Sequence, residues 1–367
     1  MAPTKSLPVV PSREGVDPSA NLYANFPSGW FLLALSTELR PGQLLTRRLA
    51  GRDVVLFRTE SGRAAAVDPY CPHMGAHFGH GGCVKGEGIV CPFHAFAFAP
   101  DGKCIATGYG TPPPPKLRVA SYEVHETHGL VLVWLGTAGE APTFRVPDID
   151  LTGWMDATYK TYDMRGHPQE TSENSCDLGH LGIVHGYKSV KILRELRPDP
   201  GYLSVKYAMD RPYIQELAFL GDLYAEFFIH VYGLGYSRVE VEVPRFGLRT
   251  RHLVFATPTD TERLRLTIGF AHERIGPKSL LARLPTEVVN RIVRRLGMFA
   301  FSHDVQQDFD VWNHKKYVHP PQLAVGDGPI GTYRRWAKQF YPLLRPPTAA
   351  GAEPEAGASE PGDAAAE

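Results

Sequence analysis

Residues 71–94 read CPHMGAHFGHGGCVKGEGIVCPFH: Cys71-x-His73, then, after seventeen residues, Cys91-x-x-His94. Thiolates and neutral imidazoles are strong ligands for borderline-soft metals, and each arm offers one of each. A Cys₂His₂ set is an ordinary tetrahedral zinc site, so zinc competes for it. Zinc fingers, however, pair Cys with Cys and His with His along the chain. Mixed arms suit a [2Fe–2S] cluster with cysteines on one iron and histidines on the other. Pro72 and Pro92 stiffen the two loops, and Gly75, Gly79, Gly81 and Gly82 permit tight turns. His77 and His80 lie off the pattern and read as hydrogen-bonded loop histidines. A second group, ENSCDLGHLGIVH, spans residues 173–185. Taken alone, Asp177, His180 and His185 are either a ligand set or the polar face of a surface helix. On a helix Asn174, Asp177 and His180 would share one face. His185 would sit about 140° round from His180, so both reach one ion only if the helix ends or distorts between them. Gly179 and Gly182 would permit that.

These loops need a frame. From Gly29 to about Gly136 short apolar runs (GWFLLALS, QLLTRRLA, DVVLFRT, AAAVD, GLVLVWLG) alternate with turn sequences, which predicts an all-β domain. The stretch from Asp68 to Ala99 reads as one long functional loop. Beyond Pro142 the pattern changes. Residues 168–185 read as helical. YLSVKYAM, YIQELAFL, YAEFFIHVY, SRVEVEV, RHLVFATP and RLRLTIGFA follow as strands of a half-buried antiparallel sheet. SLLARLPTEVVNRIVRRLGMFAFSHDVQQDFDVW then carries apolar residues at helical spacing, with Pro285 as start or kink and an arginine-rich face that could touch anionic lipid but reads first as solvated. The second domain is a sheet covered by helices, and the whole is α+β.

Composition narrows the classes. The 367 residues allow two modest domains, and zero formal net charge disfavours a nucleic-acid binder. No run of about 18 apolar residues predicts a spanning helix. Five cysteines in a chain of this length, without a recognisable signal peptide, do not suggest a disulfide framework. Cys83, Cys104 and Cys176 read as reduced thiols, and a cytoplasmic protein is expected. Residues 1–26 and 346–367, the latter with five acids and no base, read as a disordered arm and an acidic tail.

The first cluster resembles the Rieske motif. Gly75 and Ala76 after one arm, and Ala95 and Phe96 after the other, stand where respiratory Rieske subunits carry an extra disulfide, so the likeness is to the oxygenase branch. With that, residues 27–345 look like the catalytic subunit of a Rieske non-haem iron oxygenase. The resemblance implies a Rieske [2Fe–2S] domain over 27–137 with Cys71, His73, Cys91 and His94 as ligands. It implies a helix-grip, START-like catalytic domain over 138–345, with mononuclear Fe(II) on His180, His185 and a later carboxylate. Asp308, four residues before Trp312, fits that carboxylate, and Asp304 and Asp310 compete. Asp177 is implied as a bridge between His180 and His94 of a neighbouring subunit, which implies a ring, most often a homotrimer. Asn174 is implied to approach the iron without binding it, and Glu173 and Cys176 read as structural. Neither Gly108-Tyr109-Gly110 nor Gly233-Leu234-Gly235 completes a dinucleotide fingerprint, so electrons are expected from a separate NAD(P)H reductase, with or without a ferredoxin. Stretches such as RGHPQETSENSCDLGHLGIVHG and GDGPIGTYRRWAKQFY resemble the 3-ketosteroid 9α-hydroxylase oxygenase and cholesterol 7-desaturase group. That implies O₂-dependent hydroxylation or desaturation of a hydrophobic steroid or sterol, with Phe219, Tyr224, Phe227, Phe228, Tyr232 and Phe255 as candidate pocket walls. Prodiginine cyclases and an arylamine N-oxygenase share the architecture and form the alternative. A lipid-binding electron-transfer protein is the non-enzyme alternative, against which the intact Asp177, His180 and His185 set argues.

Overall fold

The computed structural model describes residues 25–211, 222–275 and 285–342. The expected arm and tail, the YIQELAFL strand with Phe219, and the start of the SLLARLP run lie outside these residues, apart from Asn25 and Phe26. The first domain holds three antiparallel sheets. One pairs β1 (Gly29–Leu35) and β10 (Val124–Thr127) with β11 (Leu130–Leu135). A second runs β2 (Leu44–Leu49), β3 (Arg52–Arg58), β4 (Ala64–Val67), β9 (Ser121–Tyr122). β1, β2, β3, β4 and β11 match the apolar runs to within a residue or two, whereas β9 and β10 answer to none of them. The Asp68–Ala99 stretch departs from the expected single loop. It carries β5 (Cys83–Lys85), β6 (Gly88–Val90) and β7 (Ala97–Phe98), which with β8 (Cys104–Ala106) make a third small sheet. Strands of two or three residues are too short to show an alternation, so periodicity missed them.

The second domain is built on one seven-stranded sheet in the order β12-β18-β17-β16-β15-β14-β13. From β13 (Lys188–Asp199) the chain meanders through β14 (Tyr202–Arg211), β15 (Leu223–Tyr232), β16 (Tyr236–Val243), β17 (Leu248–Asp260) and β18 (Arg263–His272). There β18 meets β12 (Thr158–Arg165), the strand that precedes the meander. Between β12 and β13 the chain passes from one edge of the sheet to the other through α1 (Pro168–Glu173) and α2 (Leu178–Ile183). Neither edge strand was expected. β13, KSVKILRELRPD, is mostly exposed and charged, as an edge strand that resists pairing with another chain should be. After β18, α3 (Thr286–Gln307) starts behind Pro285 and packs on β18, α4 (Phe309–His314) follows at once, and α5 (Ile330–Ala337) is the last α-helix among the described residues.

Residues 168–185 are not one helix. α1 stops at Glu173, Asp177 has an extended backbone (φ −83°, ψ 104°), and its side chain caps α2 by accepting from the His180 N–H. The expected shared face of Asn174, Asp177 and His180 therefore does not form on a regular helix. The break before His185 also does not fall at Gly179 or Gly182. Both lie inside α2, which ends at Ile183.

The sheet serves two clients. Leu253 and Phe255 of β17, with Tyr232 and Tyr236, pack against Trp30, Leu32 and Trp134 of the first domain. Thr250, His252 and Val254, alternating with them, face the opposite side, which is covered by α2 and α3. Hydrogen bonds from Thr257 to the Leu32 carbonyl (2.7 Å) and from the Trp30 indole to the Phe144 carbonyl (2.9 Å) fasten the domains together.

Two outcomes are expected from this packing. A Cβ on Gly297 of α3 would lie 2.1 Å from the ring of Phe270 on β18. Helix propensity alone says Gly297→Ala gains about 1 kcal/mol; overpacking says it loses about 1–3 kcal/mol. Calorimetry should show a lower Tm, because the ring is itself buried and the helix cannot lift without opening the core. His167 caps α1, accepting from the Gln169 N–H at 3.2 Å with its other nitrogen 3.0 Å from the Asn25 carbonyl. Full burial lowers its pKa from 6.5 to about 4. The unfolded chain then binds the proton first, so stability should fall as pH drops from about 6.5 towards about 4. His167→Gln should flatten that slope in denaturant titrations.

Candidate metal centres

Two loops of the first domain repeat one hydrogen-bond frame. The Cys71 N–H donates to the Ala76 carbonyl (2.8 Å) and the Gly75 N–H to the Cys71 carbonyl (2.9 Å). Twenty residues on, the Cys91 N–H donates to the Phe96 carbonyl (2.8 Å) and the Ala95 N–H to the Cys91 carbonyl (3.1 Å). The turn needs a left-handed residue at the same place in each: Gly75 at φ 77° and Ala95 at φ 53°. This frame brings together two buried cysteines, 2% and 3% exposed, and two imidazoles with ring centroids 4.9 Å apart. The site fits a cluster on its own evidence. His94 Nδ1 is buried without a hydrogen-bond partner, an orphaned nitrogen that a metal bond would satisfy. Burial, with the Cys91 thiol alongside, pushes the Cys71 thiol up to about 11. It becomes a thiolate only when positive charge is supplied next to it. His77 is engaged elsewhere: its Nδ1 accepts from the Gly79 N–H at 3.0 Å and its Nε2 faces Asp53 at 3.4 Å.

In the second domain His180, His185 and Asp308 each turn one ligand atom into a common space, all within 4.8 Å of one another. α2 delivers His180, the residue pair after α2 delivers His185, and the junction of α3 with α4 delivers Asp308. His185 Nε2 and the Asp308 carboxylate stand 3.6 Å apart, too far for a hydrogen bond. The remaining ring nitrogens are already held: His180 Nδ1 lies 2.7 Å from the Asp177 carbonyl and His185 Nδ1 2.8 Å from the Gln307 side-chain oxygen. As donors to oxygen these nitrogens carry the protons, which leaves both Nε2 atoms with free lone pairs pointing at the common space. Burial pushes the Asp308 carboxyl up, against the pull of His185 and His180 and a hydrogen bond from Asn174. Two imidazoles and a buried carboxylate on one side of a space are the ligand types of a facial triad, a set that could hold ferrous iron.

Asp304, one turn earlier, is committed elsewhere. Its carboxylate is paired with Arg211 and accepts from the Tyr187 hydroxyl at 3.1 Å. Asp310, in α4, lies outside the three-residue group. Glu173 forms a two-pronged pair with Arg334 (2.6 and 2.8 Å), and Cys176 is fully buried in a core cluster. Burial opposes ionisation of Asp177, but hydrogen bonds from His180 and the Gly179 backbone outweigh it and hold its carboxyl below the usual range. No sequence rule pointed to Gln307 or Arg211. Each lies more than twenty residues from the histidine segment, and only the fold brings them to it.

A cavity of about 610 Å³ opens beside the triad, roofed by α3 and floored by Leu223, Ala225, Phe227 and Ile229 of β15 and by Val239, Val241 and Thr250 of the next strands. Of the aromatic walls expected, Phe227 lines it. Tyr224 and Phe228 do not, because on β15 the odd-numbered side chains face the cavity and the even-numbered ones the other side. Tyr232 and Phe255 sit in the interdomain core.

Comparison with known proteins puts a family on these centres. Residues 29–123 match the Rieske [2Fe-2S] domain, and residues 133–341 match the 3-ketosteroid 9alpha-hydroxylase C-terminal domain. The cholesterol 7-desaturase nvd of Hemicentrotus pulcherrimus is 30% identical over 353 residues, covering 88% of this chain and 71% of that protein. A probable 3-ketosteroid-9-alpha-monooxygenase oxygenase component of Rhodococcus rhodochrous is 27% identical over 334 residues, covering 86% and 80%. Among solved structures, Pseudomonas putida CBB5 NdmA QL mutant with caffeine superposes with a TM-score of 0.63 at 18% identity, covering 84% of this chain and 89% of that one. Apo dicamba monooxygenase gives 0.62 at 18% identity, covering 85% and 95%. At such identity these two show the fold alone.

The contrast between the two aspartates gives a direct check. Asp308→Asn should abolish mononuclear iron binding while the visible spectrum of the [2Fe–2S] cluster persists. Asp304→Asn should keep that iron and cost about 1–3 kcal/mol of stability through the loss of its mostly buried pair with Arg211. Metal analysis and denaturant melts read the two effects separately.

Proposed function

This chain belongs to the Rieske non-haem iron oxygenases of the 3-ketosteroid 9α-hydroxylase family, and from that premise we propose that it hydroxylates or desaturates a steroid- or sterol-like lipophile held in the 610 Å³ cavity. Enzymes of this family carry a [2Fe–2S] cluster and a mononuclear iron, which when bound supply the electrons and the oxidising power for O₂ chemistry at a C–H bond. Cys71, His73, Cys91 and His94 are the residues proposed to hold the cluster, and His180, His185 and Asp308 the iron.

The observation that carries the reading is the joining of that triad to a large, mostly apolar cavity. A cavity of this volume is in the range of about 300–1,000 Å³ usual for small-molecule sites. Its apolar strand face binds a lipophile by burying its surface and keeps water from the reacting carbon. Asp177 and Gln307 fix the tautomers of the two histidines, so both rings present a lone pair without reorganisation. Asn174 steadies the Asp308 carboxylate. Arg211 and Tyr187 hold the second carboxylate, Asp304, out of the ligand set.

Asp177 is also proposed to meet His94 of a neighbouring chain in a trimer. Two observations support this. The Asp177 side chain remains 35% exposed while holding His180. Exposed apolar residues stand both near the cluster loops (Tyr70, Met74, Phe93, Tyr109) and near Asp177 (Ile183, Leu323, Val325). Electrons would come from a separate NAD(P)H reductase, with or without a ferredoxin, and a cytoplasmic location accords with the reading. Among the described residues no helix is long and apolar enough to cross a membrane.

Turnover with a surrogate reductase against 3-ketosteroids and sterols tests the substrate class. An oxygenated or dehydrogenated steroid is the expected product, and consumption of alkyl-pyrroles with no steroid turnover would sink it. Asp177→Asn should leave both metals bound and lower kcat on the order of 10–100-fold. Unchanged kcat would remove Asp177 from the proposed bridge.

A further inference from the structure

We propose that the outer face of α3 docks on an anionic lipid bilayer, placing the α3 wall of the cavity against the membrane. α3 buries Val289, Met298 and Phe301 against the protein. Yet Val288, Ile292, Leu296 and Phe299 stand 44%, 44%, 59% and 56% exposed. Their spacing of four, four and three residues makes them one continuous stripe along the helix. Four large apolar side chains exposed in a row lose the burial that would ordinarily stabilise them, and such a patch marks a surface that meets something.

Charge says what it meets. Arg291 and Arg295, both exposed, lie beside the stripe, and neither has an ion-pair partner among the described residues. The acid of the first turn, Glu287, is already paired with Arg274 at 2.8 Å. Asp304 points inward to Arg211. Since the whole chain has zero formal net charge, this basic edge is a local feature. An apolar stripe with arginines along its border is the composition of helices that lie in the headgroup region of anionic bilayers. A second copy of the chain is the poorer occupant, because a two-fold contact through this face would set arginine against arginine.

The surface is also continuous with the cavity. Leu296 is both exposed and part of the cavity lining, and Val293, Gly297 and Ala300 line the cavity from the inner side of the same helix. α3 is thus a wall one helix thick between the outside and the site beside the triad. The purpose of docking, direct entry of a lipophile from the bilayer, rests on the function proposed above; the docking itself does not.

The test uses the iron-loaded full chain in co-sedimentation with vesicles of phosphatidylcholine alone or mixed with phosphatidylglycerol. Binding is expected to the phosphatidylglycerol vesicles and to weaken with salt. The double variant R291Q/R295Q should lose on the order of thirtyfold in partitioning. I292S/F299S should lose binding while the cluster spectrum and iron content stay as in the parent, which shows that it folds. No binding by the parent chain, equal binding to both vesicle types, or binding untouched by either variant would overturn the proposal. A change of oligomeric state in I292S/F299S without any vesicle binding would assign the face to a second copy and overturn it as well. Failure to oxidise any steroid would count against the function reading and leave the vesicle result standing.

Discussion

Inside the second domain a carboxylate is buried without a cation of its own. Asp308 is 7% exposed, and the groups it faces are two imidazoles and an amide. Such a charge is costly to hold in a protein interior. Its neighbour one turn away, Asp304, has had that cost met by Arg211 and Tyr187. The difference between the two aspartates is what marks one of them as the proposed place for a metal ion. Everything nearby respects it: the histidines are locked through their outer nitrogens, and the inner ones are left with nothing to bond but the common space.

That convergence depends on the path of the chain. The seven-stranded sheet begins at one edge with β12 and continues from the opposite edge with β13, so the connection has to cross the whole face. α1 and α2 make the crossing, and the interruption at Asn174–Asp177 lets them bend over the sheet. α3 returns over the same face from β18. Two segments more than a hundred residues apart therefore meet above one sheet, and the space left under them is the cavity. Strand alternation then gives the sheet two different faces, one binding the cluster domain through Tyr236 and Phe255 and one lining the site through Phe227, Val241 and Thr250.

The first domain works by a simpler device. Two loops with the same backbone hydrogen bonds present their cysteines and histidines towards one another, and a left-handed residue at the end of each turn sets the approach. Glycine fills that position in one loop. In the other, Ala95 occupies it and accepts a conformation that costs an L-residue roughly 1–2 kcal/mol. The surrounding core of Phe78, Phe96 and Phe98 holds the loops rigid enough to tolerate it.

The local text of the chain determined a great deal. Ligand types at short, fixed spacings survive any tertiary arrangement, so Cys71, His73, Cys91 and His94 were legible as chemistry; the Asp177, His180, His185 segment stayed ambiguous by itself and became a ligand candidate only through the Rieske oxygenase resemblance, which is the family the comparisons show. Long alternating runs were legible as strands for the same reason: the two-residue period belongs to the strand itself. What lay beyond reach depends on which distant surfaces touch. The charged edge strand β13 and the two-residue strands carry no pattern of their own. The helix break at Asn174–Asp177 follows from a cap rather than from the glycines nearby. Among the expected cavity walls, Phe227 was right, while Tyr224, Phe228, Tyr232 and Phe255 were misassigned, because aromaticity says nothing about which way a strand turns its side chains. That Asp304 is bound to Arg211, that Gln307 holds His185, and that the stripe on α3 is left bare are outcomes of packing between segments far apart in the chain, and only the tertiary structure could decide them.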